Sequence, residues 1–357
     1  MLIPSQKQLK CLLEYYETGR YDDAENLALS ITHEFSEHPF GWKVLGAVLN
    51  QTGRKSEAVK IMQKVVALSP QDPDSHYNLG IALKALGRLN EAESSYKQAI
   101  TLKTDFTEAQ NNLGDMLQEL GRLDEAEVIL RQAIAFKPDF ADSYYNLGIT
   151  LKAMGRIEDA KASYKQAIAL KSGYSEAYLN LCDLLEKNNK LDEVQSVLED
   201  VKGNVFDKKE DFLFYEAMVL YRQEKYEIAR KIIKKINIDA LTEKRKSAFL
   251  KLKGDFHHYS KDYNVAFETF QAMNEKVKDS PEYKHQESET YFTQQKEKVR
   301  QIERLQENSS YKSPIRATWV QPTFLIGFPR SGTTLLDSIL RSHSKIDVVE
   351  EKPMLTK

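Results

Sequence analysis

The sequence predicts a mostly α-helical chain in which paired helices repeat along most of its length. Three series of small residues recur at one constant interval: Gly46, Gly80, Gly114 and Gly148; Gly53, Gly87, Gly121 and Gly155; Ala58, Ala92, Ala126 and Ala160. Glycine (15) and proline (10) are scarce among the 357 residues, which favours helix over an all-β chain. A fixed internal period is the signature of a repeat array, so a solenoid is expected.

The shared interval, about 34 residues, is that of tetratricopeptide repeats, in which each unit is a pair of antiparallel helices, A and B. The Gly46 series falls inside helix A, where a Cβ would block the close approach of helix B. The Ala58 series is expected to supply the matching small face on helix B. The Gly53 series, in which each glycine precedes an arginine, allows the sharp exit from helix A.

Weaker copies extend the array in both directions. Leu12, Gly19 and Ala24 keep the phase upstream, and Cys182, Asn189, Val194, the pair Ala217 and Ala229, and the pair Gly254 and Ala266 keep it downstream. We predict about eight units in a solenoid domain over residues 1–280. A connecting helix and linker then occupy residues 281–320, and residues 321–357 begin a different domain.

Composition and charge exclude several classes of function. The 51 basic and 53 acidic residues leave a net charge of -2, so no global field attracts nucleic acid or membrane. Two cysteines cannot form a disulfide framework, and no run approaches ~18 apolar residues. Cys11 and Cys182 occupy small-residue core positions of helix A and are expected to be structural. The pair His257 and His258 is not expected to form a metal site, since it has no cysteine or carboxylate at metal-ligand spacing. We expect a soluble cytoplasmic protein without nucleic acid, membrane or metal as a partner.

Residues 323–334 read Thr-Phe-Leu-Ile-Gly-Phe-Pro-Arg-Ser-Gly-Thr-Thr and carry the chemistry of the chain. An apolar run predicts a buried strand, and the following loop leads into an amphipathic helix. Free backbone N–H groups at a helix N-terminus bind anions. The segment therefore predicts the first strand–loop–helix–strand of an α/β P-loop-like domain. Arg330 adds a positive charge, and Ser331, Thr333 and Thr334 add hydroxyl donors.

The loop is not a nucleotide-binding Walker A motif, because Thr333 occupies the position of its lysine. It resembles instead the 5′-phosphosulfate loop of sulfotransferases that use 3′-phosphoadenosine 5′-phosphosulfate (PAPS). The nearest likeness is to the tyrosylprotein branch and its bacterial relatives with fused tetratricopeptide repeats. The resemblance implies that the donor's 5′-phosphosulfate is held by five consecutive residues: Arg330, Ser331, Gly332, Thr333 and Thr334.

A carboxylate is expected beside this anion loop. The helix is followed by a short apolar run that ends in Glu350 and Glu351. A right-handed strand–helix–strand crossover brings the carboxyl ends of both strands together. Strand alternation lets one of the two glutamates face the cleft and leaves the choice open. The family resemblance implies Glu351 as the general base, with Arg330 stabilising the sulfuryl group in transfer.

Residues 321–357 are too few to fold alone. They lack the further strands, the 3′-phosphate site and the acceptor pocket of a sulfotransferase domain. We therefore expect them to be the start of a longer catalytic domain, with this chain inactive by itself. The alternative interpretation is a non-catalytic interaction scaffold that carries a vestigial loop.

Four asparagines recur on helix A at the same interval as the glycines: Asn78, Asn112, Asn146 and Asn180. The series resembles the asparagine ladder by which O-linked N-acetylglucosamine transferase grips polypeptide backbones. It predicts a polypeptide acceptor, a tyrosine by family likeness, although a carbohydrate or lipid hydroxyl remains open. The alternative is that asparagine is simply common at this position of such repeats.

One further feature of the sequence is a lysine-rich stretch from Lys225 to Lys253, interleaved with glutamate. A solvated helix face is the simpler interpretation of such a stretch. A surface for acidic peptides is the alternative.

Overall fold

The computed structural model describes residues 3–201 and 208–278. These residues form sixteen α-helices and one short 3₁₀-helix, with no strand among them. The mostly helical class and the repeat solenoid are thereby confirmed. The described residues fall into two compact units that separate between Phe206 and Asp207. The predicted connecting segment and the sulfotransferase-like segment, with Arg330, Ser331, Gly332, Thr333, Thr334 and Glu351, lie outside the described residues.

The first unit consists of six successive helix hairpins. Its helices are α1 Gln6–Glu17, α2 Tyr21–Glu34, α3 Pro39–Gln51, α4 Lys55–Leu68, α5 Pro73–Ala85, α6 Leu89–Leu102, α7 Thr107–Glu119, α8 Leu123–Phe136, α9 Ala141–Ala153, α10 Ile157–Leu170, α11 Ser175–Lys187 and α12 Leu191–Val201. Odd-numbered helices are helix A of each repeat and even-numbered ones are helix B. Helix A also touches helix A of the next repeat, as α7 touches α9. The A helices therefore line the inner face of this unit.

Each hairpin turns through one residue with a positive φ. Five of these residues are glycines, with φ from +72° to +81°: Gly19, Gly53, Gly87, Gly121 and Gly155. The backbone N–H of the residue after the glycine donates a hydrogen bond to a carbonyl in the last turn of helix A, as Arg122 N does to Leu117 O at 2.9 Å. Glycine has no Cβ to clash in this conformation, so the predicted helix exit is confirmed.

The glycine inside helix A makes room for a large side chain of helix B. A Cβ added at Gly80 would lie 2.6 Å from Tyr96 Cε1, and one at Gly114 would lie 2.6 Å from Leu130 Cγ. The glycine thus meets a residue that lies one helical turn beyond the alanine of the Ala58 series. The sequence prediction that this series provides the matching face is wrong in this detail, although its alanines are fully buried.

The second unit has two hairpins within its described residues. They are formed by α13 Lys209–Arg222, α14 Tyr226–Ile233, a 3₁₀-helix Ile238–Ala240, α15 Glu243–Tyr259 and α16 Tyr263–Lys278. Its turns use Glu224 and Lys261 at φ of +59° and +63°. Helix α14 has only 8 residues, whereas the B helices α2, α4, α6, α8 and α10 have 14 each.

A buried polar contact fixes the start of α15 on α13. Asp211 Oδ1 accepts hydrogen bonds from the Thr242 backbone N–H at 3.1 Å and from its Oγ1 at 3.2 Å. Because the side chain of Asp211 is 1% exposed, these bonds and the Arg245 guanidinium 3.7 Å from its Oδ2 compensate part of the lost hydration. Within the described helices of both units, none is long and apolar enough to cross a membrane.

Candidate functional site

The four ladder asparagines occupy equivalent positions on successive A helices of the first unit. Asn78 lies on α5, Asn112 on α7, Asn146 on α9 and Asn180 on α11. Asn146 is buried, and the other three are half-buried. The repeat geometry therefore places one amide per repeat along the same face.

Three of these amides form hydrogen bonds across the interface with the preceding repeat. Asn112 Nδ2 donates to the Tyr77 hydroxyl at 3.1 Å. Asn180 Nδ2 donates to the Tyr145 hydroxyl at 3.0 Å. Asn146 Nδ2 donates to Asn111 Oδ1 at 3.0 Å. An asparagine amide has two N–H donors and a carbonyl acceptor. One bond therefore orients the amide, and its second N–H and its carbonyl oxygen can still bind a ligand.

The bonding partner of each of these three asparagines is the residue just ahead of the previous ladder asparagine. Sequence reasoning missed this position, because the repeat period aligns asparagine with asparagine. The signal that could have found it is the recurrence of tyrosine at Tyr77 and Tyr145, which are two repeats apart.

These two tyrosines belong to matching aromatic clusters. The ring centroid of Tyr77 lies 6.1 Å from that of Tyr96 and 5.0 Å from that of Phe106. Tyr145 lies 6.3 Å from Tyr164 and 5.0 Å from Tyr174. In the repeat between them, asparagine and leucine replace the first two tyrosines of the cluster, at Asn111 and Leu130. The aromatic cluster of Tyr77 therefore recurs at Tyr145, two repeats further on, and is absent from the repeat between them.

A shallow groove lies beside Asn112 on this face. Ile81, Ala85 and Tyr96 provide its apolar part, and Lys84 and Glu119 its charged part. Lys84 Nζ lies 2.5 Å from Asp115 and 3.1 Å from Glu119, both on α7. Burial alone would lower the pKa of Lys84, but these two carboxylates raise it, so the ammonium stays charged. An amide, an apolar strip and paired charges can bind an extended polypeptide.

A second set of charges connects repeats at the hairpin turns. Arg122 reaches Glu93 of the preceding repeat at 2.6 Å and Glu125 of its own at 2.6 Å. Arg156 pairs with Glu127 and Asp159 at 2.7 Å each. The arginine that follows the turn glycine therefore joins neighbouring repeats at these two positions, a role that suits the nearest-neighbour packing of a solenoid.

Some of the remaining predicted site residues belong to the described part of the chain, and the others do not. Within residues 3–201 and 208–278, no cluster of three or more His, Cys, Asp or Glu side chains could hold a metal ion. Cys182 is buried and Cys11 is half-buried. Arg330, Ser331, Gly332, Thr333, Thr334 and Glu351 belong to the part of the chain that the structure does not describe.

Comparison with protein families agrees with this division of the chain. Tetratricopeptide-repeat models match residues 12–73, 61–94, 107–172 and 151–213. A sulfotransferase family model matches residues 322–356. Tetratricopeptide repeats are protein-interaction modules, so the array is a protein-interaction scaffold.

Three known proteins are similar to parts of this chain. A tetratricopeptide repeat protein from Parabacteroides merdae superposes with a TM-score of 0.52 at 15% identity, over 69% of this chain and 97% of that one. The pilF protein of Pseudomonas aeruginosa gives a TM-score of 0.48 at 20% identity, over 55% of this chain and 89% of that one. An uncharacterized protein of Aquifex aeolicus is 35% identical over 97 residues, which are 27% of this chain and only 12% of that protein. The chain is therefore a tetratricopeptide-repeat protein whose repeats are followed by a segment similar to the sulfotransferase family.

Proposed function

We propose that the protein is a PAPS-dependent sulfotransferase that sulfates a hydroxyl, preferentially a tyrosine, of a polypeptide held by its repeats. The observation that carries the proposal is the run from Gly327 to Thr334, which lies inside the segment matched by the sulfotransferase family model. The use of only two cysteines further supports a cytoplasmic location.

The residue types of the loop suit the donor. Arg330 supplies a permanent positive charge for the phosphosulfate, and Ser331, Thr333 and Thr334 supply hydroxyl donors. Gly332 lets the backbone approach the anion closely. The proposal assigns all five residues, Arg330 through Thr334, to the donor's 5′-phosphosulfate.

The proposed reaction is an in-line transfer. The acceptor oxygen attacks sulfur, the bond from sulfur to the 5′-phosphate oxygen breaks, and adenosine 3′,5′-bisphosphate leaves. Glu351 takes the proton from the attacking hydroxyl. Arg330 and the loop N–H groups stabilise the negative charge that builds on the bridging oxygen. The step needs no metal ion.

The repeats are proposed to hold the acceptor through the four ladder asparagines. Neighbouring A helices pack roughly 8–10 Å apart. An extended chain rises about 3.3 Å per residue, so one amide would meet every third residue of a bound peptide. Asn112, Asn146 and Asn180 each use one N–H in an inter-repeat bond, and the remaining N–H and the carbonyl oxygen can bind the peptide backbone.

The decisive experiment measures transfer of ³⁵S-sulfate from PAPS to a tyrosine-containing polypeptide by the protein as its gene encodes it. Arg330→Ala should abolish transfer and weaken the binding of adenosine 3′,5′-bisphosphate. Arg316→Ala, which removes an equal charge just ahead of the matched segment, is the control and should retain both. If the unaltered protein neither binds the bisphosphate nor transfers sulfate, the sulfotransferase proposal is wrong and the interaction scaffold remains.

A further inference from the structure

The second unit contains a cavity of about 440 Å³ that the ladder does not involve. It lies where α14 ends at Ile233 and the chain passes through the 3₁₀-helix to α15. Ile233, Phe249 and Leu250 are among its apolar lining residues, and each is less than a tenth exposed. A ligand can therefore touch this apolar surface only by inserting a side chain into the cavity.

Three cationic side chains stand around the same cavity: Arg230, Lys234 and Lys253. None of them has an ion-pair partner among the residues that the structure describes. In the first unit, by contrast, Arg122 and Arg156 are each paired with two carboxylates. The three unpaired cations leave a positive potential beside the apolar cavity, which attracts an anionic ligand.

Few acidic side chains offset these cations among the described residues that line the cavity. Asp262 is the carboxylate among the described lining residues, and its Oδ2 lies 3.6 Å from His257 Nδ1. His257 is partly exposed, at 22%. The local charge is thus positive although the whole chain carries a net charge of -2.

We propose that this cavity binds an acidic polypeptide segment that carries one bulky apolar side chain. The apolar side chain fills the cavity, and flanking carboxylates pair with Arg230, Lys234 and Lys253. The volume is in the range of about 300–1,000 Å³ that is typical of ligand pockets, and it is large enough for one such side chain.

A polypeptide fits these observations better than the other polyanions. A nucleic acid without sequence specificity stacks its bases on exposed aromatic side chains, whereas Phe249 and Phe256 are buried. A membrane surface is bound by apolar side chains that project outward, and here they line a recess. The inference is independent of the sulfotransferase proposal, because it needs neither the donor loop nor the ladder.

The test uses the 357-residue chain and fluorescence anisotropy at physiological ionic strength. The probe is a fluorescein-labelled nonapeptide with four acidic residues on each side of a central leucine. Two control peptides replace the leucine by serine, or the acidic residues by their amides. The variant Lys234→Glu/Lys253→Glu reverses two charges at the cavity. Lys235→Glu/Lys251→Glu reverses two exposed charges nearby that do not line it.

We expect the cavity variant to weaken binding at least about ten-fold and the matched variant less than about three-fold. Both control peptides should bind at least about ten-fold more weakly than the probe. Equal losses in the two variants, or no effect of replacing the leucine, would overturn the proposal. Tighter binding of single-stranded DNA or of phosphatidylserine vesicles, with the same dependence on Lys234 and Lys253, would also overturn it. Circular dichroism of both variants verifies that they are folded.

Discussion

Gly148 on α9 faces the ring of Tyr164 on α10 so closely that a Cβ added to the glycine would lie 2.6 Å from Tyr164 Cε1. Gly80 and Tyr96 stand in the same relation at the same distance. Both tyrosine rings are almost completely buried, so neither can move aside. This glycine–tyrosine contact joins the two helices of a repeat.

We predict that Gly148→Ala lowers the free energy of unfolding by about 2–3 kcal/mol, because the new Cβ overpacks a rigid ring. Gly46→Ala is the matched control, since its Cβ would meet Met62 Cε, the far end of a flexible side chain, also at 2.6 Å. It should cost about 1 kcal/mol or less. Urea denaturation followed by circular dichroism measures both values, and equal costs would contradict the prediction.

A second prediction concerns the two turns of the second unit, which lack glycine. Glu224 and Lys261 adopt φ of +59° and +63°, a conformation that strains residues with a Cβ. Glu224→Gly and Lys261→Gly should each raise the free energy of unfolding by about 0.5–1 kcal/mol. Gly155→Ala, at φ +76° with open space around its Cα, should lower it by about 1 kcal/mol. A loss of stability in Glu224→Gly would show that the Glu224 side chain contributes more stability than the release of backbone strain at its positive φ.

These turns also show what could be predicted from the sequence. A glycine at a helix end indicates a positive φ, so five turns and the repeat period could be predicted from the residues alone. Glu224 and Lys261 carry no such signal, because the surrounding hairpin imposes their conformation. The bond from Asn112 to Tyr77 was equally hidden, since it depends on how one helix A lies against the next. The cavity beside α14 depends on where that helix stops, which single-sequence patterns do not fix.

A third prediction concerns the acid stability of the inter-repeat ion pairs. The side-chain hydrogen bond from Arg122 is the main reason that the pKa of Glu93 is lowered. Burial would raise the pKa of Glu127, but hydrogen bonds from Arg131 and Arg156 lower it. Because the pKa values fall on folding, the stabilisation is complete above the ordinary glutamate value of 4.5 and is lost as the pH falls through the lowered folded values.

Thermal unfolding between about pH 6 and about pH 3 tests this linkage. The midpoint should fall as the pH decreases. Glu93→Gln/Glu127→Gln should flatten that dependence. Glu14→Gln/Glu34→Gln alters two exposed glutamates that form no ion pair with any described residue, and its profile should follow that of the unaltered chain. If the thermal midpoint of both double variants fell with pH in the same way, Glu93 and Glu127 would not be the source of the acid sensitivity.

A fourth prediction separates the binding role of the ladder from its structural role. Replacing Asn78, Asn112, Asn146 and Asn180 by alanine should weaken acceptor-peptide binding and leave the binding of adenosine 3′,5′-bisphosphate unchanged. Tyr77→Phe/Tyr145→Phe removes two partner hydroxyls but keeps every amide. It should lower stability by about 1–2 kcal/mol in total and retain peptide binding. Unchanged peptide affinity in the alanine variant would exclude the ladder as a binding site.

A fifth prediction distinguishes the two adjacent glutamates in the protein as its gene encodes it. Glu351→Ala should lower the turnover number by about 10² to 10⁴ and spare bisphosphate binding, because it removes the proposed general base. Glu350→Ala removes the same charge from the neighbouring position and should retain most turnover. Steady-state kinetics with labelled PAPS measure both. The reverse order of effects would move the base to Glu350, and full activity of both would remove the base assignment.

The alternation of the inner face bears on how such an array can grow or shrink in evolution. Tyr77 with Asn112 and Tyr145 with Asn180 make the same bond, whereas Asn111 with Asn146 makes a different one between them. A tyrosine hydroxyl and an amide oxygen both accept the N–H of the ladder asparagine. Loss of the hairpin α7–α8 would therefore set Asn146 against Tyr77, the same pair of residue types that Asn180 and Tyr145 form now. The array can thus gain or lose one hairpin while each ladder amide at the junction still meets an acceptor.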